Sequence, residues 1–425
     1  MGPDGRPALL VVSAGIMQIP ALKTARALGC YVIASDRNPE AAGFDLANER
    51  LVMDVKDVEG HVRWARENKE RVNLRGAFAG ADVAITVAAV CAAAGLPGIP
   101  VEVAERSNHK GKMKRRWLRD GVPTPWSEET ATLAEARCVL AHVALPAMVK
   151  AVDSAASRGS RMIRSEDELP AAFAAACAVS RSGTALVEQR VAGREYSVET
   201  IIWKGKHHHV SLADRHFGFS PYAIEIAHVD PSHDNDKRQR RIYEVVDAAA
   251  ESLGIDFGPA KADMIWTDRG PMILEMPARL SGGFHSQHTT PLSTGKEPIK
   301  AVMKLALGEP LDQSLLAARW QRTSICAGIF PPPGVLLAIT GVDEASRLPG
   351  IAEIIITRKP GETIEPYVDN AKRCCWVIAV ADDEPHAWEQ IDEARRTIRF
   401  EVAHAPIACS QLHGPLDRTA QGSRR

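Results

Sequence analysis

The first hundred residues constrain the fold most, because short apolar runs alternate there with helical stretches in a regular order. The run Ala8-Leu-Leu-Val-Val-Ser-Ala14 is followed by Gly15, a helical stretch to Leu28, Gly29, and a second apolar run, Tyr31-Val-Ile-Ala-Ser35, ending on Asp36. This reads as βαβ. A strand near 51–53, a helix over 58–68, a strand near 76–79 and a helix over 82–94 continue the alternation. Parallel strands need long crossovers, usually helical, so the pattern predicts a parallel sheet with helices on both faces. The first turn, Ser13-Ala-Gly-Ile-Met-Gln18, lacks the second and third glycines that let a pyrophosphate approach the backbone, which argues against a nicotinamide or flavin cofactor.

The remaining chain changes character twice. After Pro97-Gly-Ile-Pro100 comes a charged helix ended by Gly121-Val-Pro-Thr-Pro125, then a small α/β module to about Leu186. Residues 185–280 are strand-rich, interrupted by a charged helix over 236–253. A helix over 291–307 is closed by Gly308, and from Arg322 short strands and a helix over 384–399 form an α+β unit. The expected fold class is therefore α/β and α+β. The expected domains are 1–105 (parallel α/β), 106–320 (two-lobed α+β, with a small lobe at about 125–186) and 321–412 (small α+β), with a flexible tail at 413–425.

Composition narrows the setting. With 425 residues, 45% hydrophobic and 25% charged, the chain suits several packed domains. It has no apolar run of about 18 residues and its start lacks the apolar core of a secretory signal, so a cytoplasmic protein with no membrane partner is expected. A net charge of -1 argues against a nucleic-acid partner, although the cluster Lys110-Gly-Lys-Met-Lys-Arg-Arg116 needs its own explanation. The eight cysteines form no C-x-x-C, so neither a zinc knuckle nor a disulfide framework is expected. In His207-His-His209, successive strand side chains point to opposite faces, which argues against a metal site there.

Several spaced features carry chemistry. Lys110 and the strand lysine of Met148-Val-Lys150 could converge on phosphates. Behind Lys150 lies a run of small residues, including Ser154, Ser157 and Gly159, whose amides can fold over phosphate oxygens; a plain polar hairpin is the competing reading. In Ala185-Leu-Val-Glu188-Gln-Arg-Val191-Ala-Gly193-Arg-Glu195, two strands flank a short connector. A carboxylate there can accept bonds from a ribose diol, and free backbone can pair with an adenine edge. The sharpest feature is Lys261-Ala-Asp263, a Thr267-Asp-Arg-Gly270 turn, and Pro271-Met-Ile-Leu-Glu275-Met-Pro-Ala-Arg279. A hairpin there sets Asp263 beside Glu275 as oxygen ligands for magnesium, with Arg279 near a transferring phosphoryl group.

In order and spacing these features resemble the ATP-grasp superfamily of carboxylate–amine ligases across nearly the whole chain. The E-x-x-x-x-G-x-E connector of that family matches Glu188 to Glu195 in full. The resemblance implies ATP and magnesium (or manganese) as cofactors, with Lys110 and Lys150 on the phosphates and Ser154, Ser157 and Gly159 in a lid. It implies Glu188, Gln189, Arg190 and Val191 at the adenine, Glu195 at the ribose, Asp263 and Glu275 on the metal, and Arg279 and Lys150 as catalytic groups. Gly15 to Pro20 and Ser35 to Pro39 resemble the domain that precedes ATP-grasp in purine-biosynthetic and amino-acid ligases, and residues from Arg322 resemble their small C-terminal domain. One departure is Pro277, which stands where the family often has the asparagine of E-x-N-P-R and offers no side-chain ligand.

The implied reaction is amide or peptide bond formation through an acyl phosphate, with ADP and phosphate released, in an enzyme expected to be a homodimer. Small-molecule carboxylate and amine substrates are expected to meet Arg215, His216, Glu225 and His228, together with Ser281, Gly282 and Gly283. A purine-pathway or carboxylase-like enzyme of the same superfamily is the second reading, and an inactive nucleotide-binding regulatory protein, which Pro277 would permit, is the third. The absence of a V-E-H motif after the arginine argues against a biotin-dependent carboxylase. Replacing Lys150 or Glu275 is expected to stop ADP formation and to leave the fold intact.

Overall fold

The computed structural model describes residues 5–403, so the tail expected at 413–425 lies outside the described residues. The chain divides into two compact units. The first gathers Met1–Trp126, Val191–Asp214 and Val229–Ser324, and the second gathers Ser127–Arg190, Arg215–His228 and Ile325–Arg425. The strands Lys206–Gly218 and Ile224–Asp230 carry the chain from the first to the second and back.

The first unit opens with the predicted parallel sheet, in the order Glu49–Val52, Tyr31–Asp36, Ala8–Val12, Leu74–Phe78. Successive residues of a strand point to opposite faces, and Ala8–Val12 is apolar throughout because both faces are covered. Leu9 and Val11 pack with Leu22, Phe44, Val302 and Leu305, whereas Ala8, Leu10 and Val12 pack with Ala65, Val72 and Val90. The mixed α/β character expected from the alternation is thus what the chain adopts.

Beside this sheet, still in the first unit, Gly258–Thr267 lies antiparallel to both Arg194–Trp203 and Gly270–Glu275. The helix Asp236–Leu253, started by an Asn235 side chain that accepts the Arg238 N–H at 3.1 Å, covers these strands with Ile242, Val246, Ala249 and Leu253. Two expected helices are broken. The charged helix is two, Val101–Ser107 and Lys110–Asp120, because the His109 ring accepts the Lys112 N–H at 3.3 Å and starts a new N-terminus. The helix expected over 291–307 is Thr290–Thr294 and Pro298–Ala306, interrupted at Gly295, whose φ of 75° ends the first piece. The basic cluster also finds its explanation here: Lys112 pairs with Glu105 at 3.0 Å, and Arg116 and Arg119 pair with Asp120 at 2.8 and 2.9 Å.

The second unit contains a four-stranded antiparallel sheet in the order Ser127–Thr130, Ala185–Gln189, Ala147–Ala151, Arg161–Ile163. Helices Leu133–Leu140, started by a Thr132/Glu135 capping box, and Leu169–Val179 bury Ala136, Leu140, Leu169 and Ala176 against Val149 and Val187. The same unit holds the antiparallel pair Ile351–Ile356 and Cys375–Ala381, the helix Glu384–Thr397, and a sheet of Thr363–Ile364, Gly334–Thr340 and Arg399–Ala403. Among the described residues, no helix is long and apolar enough to cross a membrane.

Candidate functional site

In the first unit, strand geometry assembles a group of acids and bases. The two-residue period of Gly258–Thr267 sends Ala260, Ala262 and Met264 into the core and leaves Lys261 and Asp263 together on the other face. The turn is closed by Thr267, whose hydroxyl donates to the Gly270 carbonyl at 2.9 Å and accepts the Arg269 N–H at 3.1 Å. Met264 pairs with Ile273, yet Asp263 pairs with Glu275, so Leu274 is an extra residue. This bulge brings the two carboxylates opposite each other on neighbouring strands.

Each of these acids has a cation beside it. Lys261 pairs with Asp263, and Lys110, the first residue of its helix, lies 3.4 Å from a Glu275 oxygen. Arg279 forks onto a residue the sequence reading passed over: its Nε and Nη2 donate to the two oxygens of Asp82 at 2.7 and 3.2 Å. Burial pushes the Asp82 carboxyl up, but Arg279, helped by Lys110 and Lys261, outweighs burial and holds it below the usual carboxylate range. Burial likewise pulls on the Arg279 guanidinium, and Asp82, Glu275 and Asp263 more than restore its charge. Lys110, Asp263, Glu275 and Arg279 therefore share one electrostatic neighbourhood. Pro277 is engaged through its backbone, its carbonyl accepting the N–H groups of Lys261 and Arg279 at 3.1 and 2.9 Å.

Behind Ser281, Gly282 and Gly283 lies a buried polar network. Glu199, fully buried, accepts the Ser281 N–H at 2.7 Å and the Ser286 hydroxyl. Asp230 accepts the Thr290 hydroxyl at 2.6 Å and lies 3.0 Å from His285 Nε2, which is also 3.1 Å from the Ser211 hydroxyl. Burial pushes Glu199 up, against the pull of His285, Ser286 and the Ser281 amide. Ser281 is itself buried, so its amide serves the loop's anchorage. The histidine triplet divides by face: His207 and His209 lie 2.9 and 3.2 Å from one oxygen of Asp247, with His209 stacked on Tyr243. Among the described residues, no group of three or more His, Cys, Asp or Glu side chains is placed to hold a metal.

In the second unit, Lys150 lies in the strand Ala147–Ala151 and its ammonium pairs with Glu188, which is only 2% exposed. Antiparallel register explains the meeting, since Met148 stands opposite Glu188 and Lys150 opposite Leu186, placing the lysine diagonal to the acid. The connector's glycine has a local cause inside the first unit: a β-carbon on Gly193 would fall 2.0 Å from the Trp266 carbonyl oxygen. Gly193→Ala is expected to lower stability by about 1–3 kcal/mol through overpacking, read as a drop in melting temperature; an unchanged melting curve would show that the close approach does not matter.

The small-residue loop is also in the second unit. Gly159 has a φ of 66° and its carbonyl accepts the Ala151 N–H at 3.1 Å, while Ser157 donates to the Ala223 carbonyl at 3.0 Å. Arg215 Nε donates to Glu225 at 2.8 Å, and Arg373 donates to the Glu225 backbone carbonyl at 3.2 Å. Burial pushes the Glu225 carboxyl up, but Arg215 above all, with His228 and Arg373, holds it far below the usual range. Burial lowers Arg373 to about 10 despite Glu225. The ring of His216 meets the edge of Trp388 at 5.7 Å, and His228 is buried. Sequence reading did not single out Asp82, Glu199 and Asp230 in the first unit, or Asn370 and Arg373 in the second.

With this geometry in hand, likeness to known proteins can be placed on it. Residues 143–287 match the family described as an ATP-grasp domain, and residues 328–403 match the L-amino acid ligase C-terminal domain 2. The uncharacterized protein y4rH of Sinorhizobium fredii is 29% identical over 323 residues, covering 75% of this chain and 66% of that protein. The alanine–anticapsin ligase of Bacillus subtilis is 25% identical over 264 residues, covering 52% of this chain and 55% of that one. The chain thus spans between about half and two thirds of the length of these curated relatives. The crystal structure of the L-amino acid ligase from Bacillus licheniformis superposes with a TM-score of 0.80 at 21% identity, over 94% of this chain and 100% of that one, and so shares its fold.

Proposed function

We propose that this chain, which carries an ATP-grasp domain followed by an L-amino acid ligase C-terminal domain, is an ATP-dependent ligase that joins a carboxylate to an amine. The observation that carries the reading is the bulged hairpin that sets Asp263 opposite Glu275, with ammonium groups of Lys261 and Lys110 beside them. Two carboxylates side by side, partly open to solvent and already drawing positive charge, offer hard oxygen donors of the kind that would hold a magnesium ion. When bound, magnesium supplies charge neutralisation on the oxygens of the transferring phosphoryl group. With proline at 277, Asp263 and Glu275 are the two side chains that would hold the magnesium.

The remaining residues bind and orient. Lys110 and Lys150 are assigned to the phosphates, Ser154, Ser157 and Gly159 to the loop over them, Glu188, Gln189, Arg190 and Val191 to the adenine, and Glu195 to the ribose. A substrate carboxylate oxygen attacks the γ-phosphorus, the bond from that phosphorus to its bridging oxygen breaks, and ADP leaves. The amine nitrogen then attacks the acyl carbon, inorganic phosphate departs, and the nitrogen gives up its proton to solvent. Arg279, held by Asp82 in a fixed fork, stabilises the charge that develops on the phosphoryl oxygens. The alanine–anticapsin ligases are named for joining alanine to anticapsin, which supports an amino acid among the substrates; an amino-acid carboxylate and an amino-acid amine are proposed here, in a cytoplasmic homodimer with the domain limits 1–105, 106–320 and 321–412. Arg215, His216, Glu225, His228, Ser281, Gly282 and Gly283 are assigned to them.

ADP release by the purified full chain, measured against paired amino acids, nucleotide precursors and bicarbonate, tests this. Stimulation that needs one carboxylate and one amine together is the expected result. Dependence on bicarbonate would move the chain to the carboxylase-like reading, and Mg-ATP binding without turnover to the regulatory one.

A further inference from the structure

The loop 154–160 contains two consecutive non-glycine residues in the left-handed region, Ala156 at φ 58° and Ser157 at φ 59°. A β-carbon crowds the backbone there, so such a pair persists only where surrounding contacts over-determine it. The contacts converge on Asn370, which lies in the matched C-terminal domain more than two hundred residues away and in the same compact unit. Its backbone N–H donates to the Ala156 carbonyl at 2.9 Å, and its Nδ2 donates to the Ser157 hydroxyl at 3.1 Å. Its Oδ1 accepts the Glu225 N–H at 3.0 Å.

The amide orientation follows from its partners. The Ser157 hydroxyl already donates its hydrogen to the Ala223 carbonyl, so it has only lone pairs to offer Asn370, and Glu225 offers only a backbone N–H. A side chain with one donor and one acceptor in fixed geometry is required, which asparagine provides and aspartate does not. Asn370 is held in turn by Arg373, whose Nε donates to the Asn370 carbonyl at 2.8 Å, and by a short helical turn started by Asp369. The same Arg373 donates to the Glu225 carbonyl.

We infer that Asn370 is a positioning residue that locks the loop 154–160 to the segment bearing Arg215 and Glu225. This rests on the ligase reading. When the segment is in place, the loop is held down, and the acyl phosphate is kept from water until the amine arrives. When the lock is removed, the loop opens and ATP is spent on hydrolysis.

The test uses the full chain with Asn370→Ala and Asn370→Asp. Trypsin cleavage after the exposed Arg158, followed by mass spectrometry, reads loop opening without any need for turnover. Cleavage in Asn370→Ala is expected to be roughly ten-fold faster than in the parent chain, which corresponds to about 1.4 kcal/mol, and Asn370→Asp, which keeps the bond to the Glu225 N–H, is expected to fall between. In turnover, ADP formed per amide product should rise from near one in the parent to severalfold higher, with kcat lowered and the KM for ATP little changed. If Asn370→Ala does not fold, Asn370→Asp and Ser157→Ala provide the same comparison. Unchanged cleavage and unchanged coupling in folded variants would overturn the inference. A parent chain that makes no amide with any substrate pair would sink the ligase reading instead, and the cleavage rates would then decide on Asn370 alone.

Discussion

Replacing Glu275 with alanine is expected to reduce ADP formation about a thousand-fold while the melting temperature stays near that of the parent. The two halves of this result have separate causes. The Glu275 side chain is about a quarter exposed and stands at the end of its strand, so the core built by Ile273 and Met276 does not depend on it. Its carboxylate is one of only two placed opposite each other on the hairpin, and removing one preorganised charge-stabilising group costs roughly a hundred- to a thousand-fold in turnover. Asp263→Ala should be as severe in turnover. A coupled assay for ADP at saturating Mg-ATP measures the first half and a thermal melt the second. Normal turnover in the Glu275 variant would remove the metal assignment.

Lys150→Ala should also stop ADP formation, but here the structure changes the expectation drawn from sequence. The ammonium pairs with Glu188, a carboxylate 2% exposed on an interior strand of a sheet whose core includes Ala147, Val149, Ala185 and Val187. Breaking a buried ion pair from one side removes the compensation that the lost partner supplied, at a cost of about 3–5 kcal/mol. The single variant is therefore expected to lose stability as well as activity. Lys150→Met combined with Glu188→Gln removes both charges, and its melting temperature should return most of the way to that of the parent while turnover stays absent. Recovery of turnover in the double variant would show that Lys150 acts on the fold and not on phosphates.

The parts of this molecule legible in its sequence are those set by local periodicity. The run Ala8–Val12 is apolar at every position, which only a strand covered on both faces tolerates, and it is the centre of the parallel sheet. The tight turn at Thr267 to Gly270 made it legible that Asp263 falls near Glu275, but the extra residue Leu274 that sets the two directly opposite each other was not, since the turn alone would have paired Asp263 with Leu274. The breaks at His109 and Gly295 were less legible, since each depends on one cap rather than on a pattern.

What escaped sequence reading is what packing brings from afar. Arg279 and Asp82 are 197 residues apart, and nothing near Asp82 distinguishes it from an acid at an ordinary helix start. Glu199 sits in a strand where an acid normally signals a solvated face, yet it is fully buried, with one carboxylate oxygen accepting the Ser281 amide and the Ser286 hydroxyl. Asn370 has no sequence signal at all, since its meaning comes from three partners in two distant segments.

The pairing of Asp263 with Lys261 and of Glu275 with Lys110 has a further consequence. If these carboxylates hold the metal, as proposed, their lysine partners would give them weak appetite for a bare divalent cation, because the newcomer would first have to evict those lysines. A cation delivered already wrapped in nucleotide arrives with anionic oxygens that those same lysines can grasp instead. On the ligase reading, the arrangement would thus reward the loaded complex over its ingredients and make entry of the two a single event.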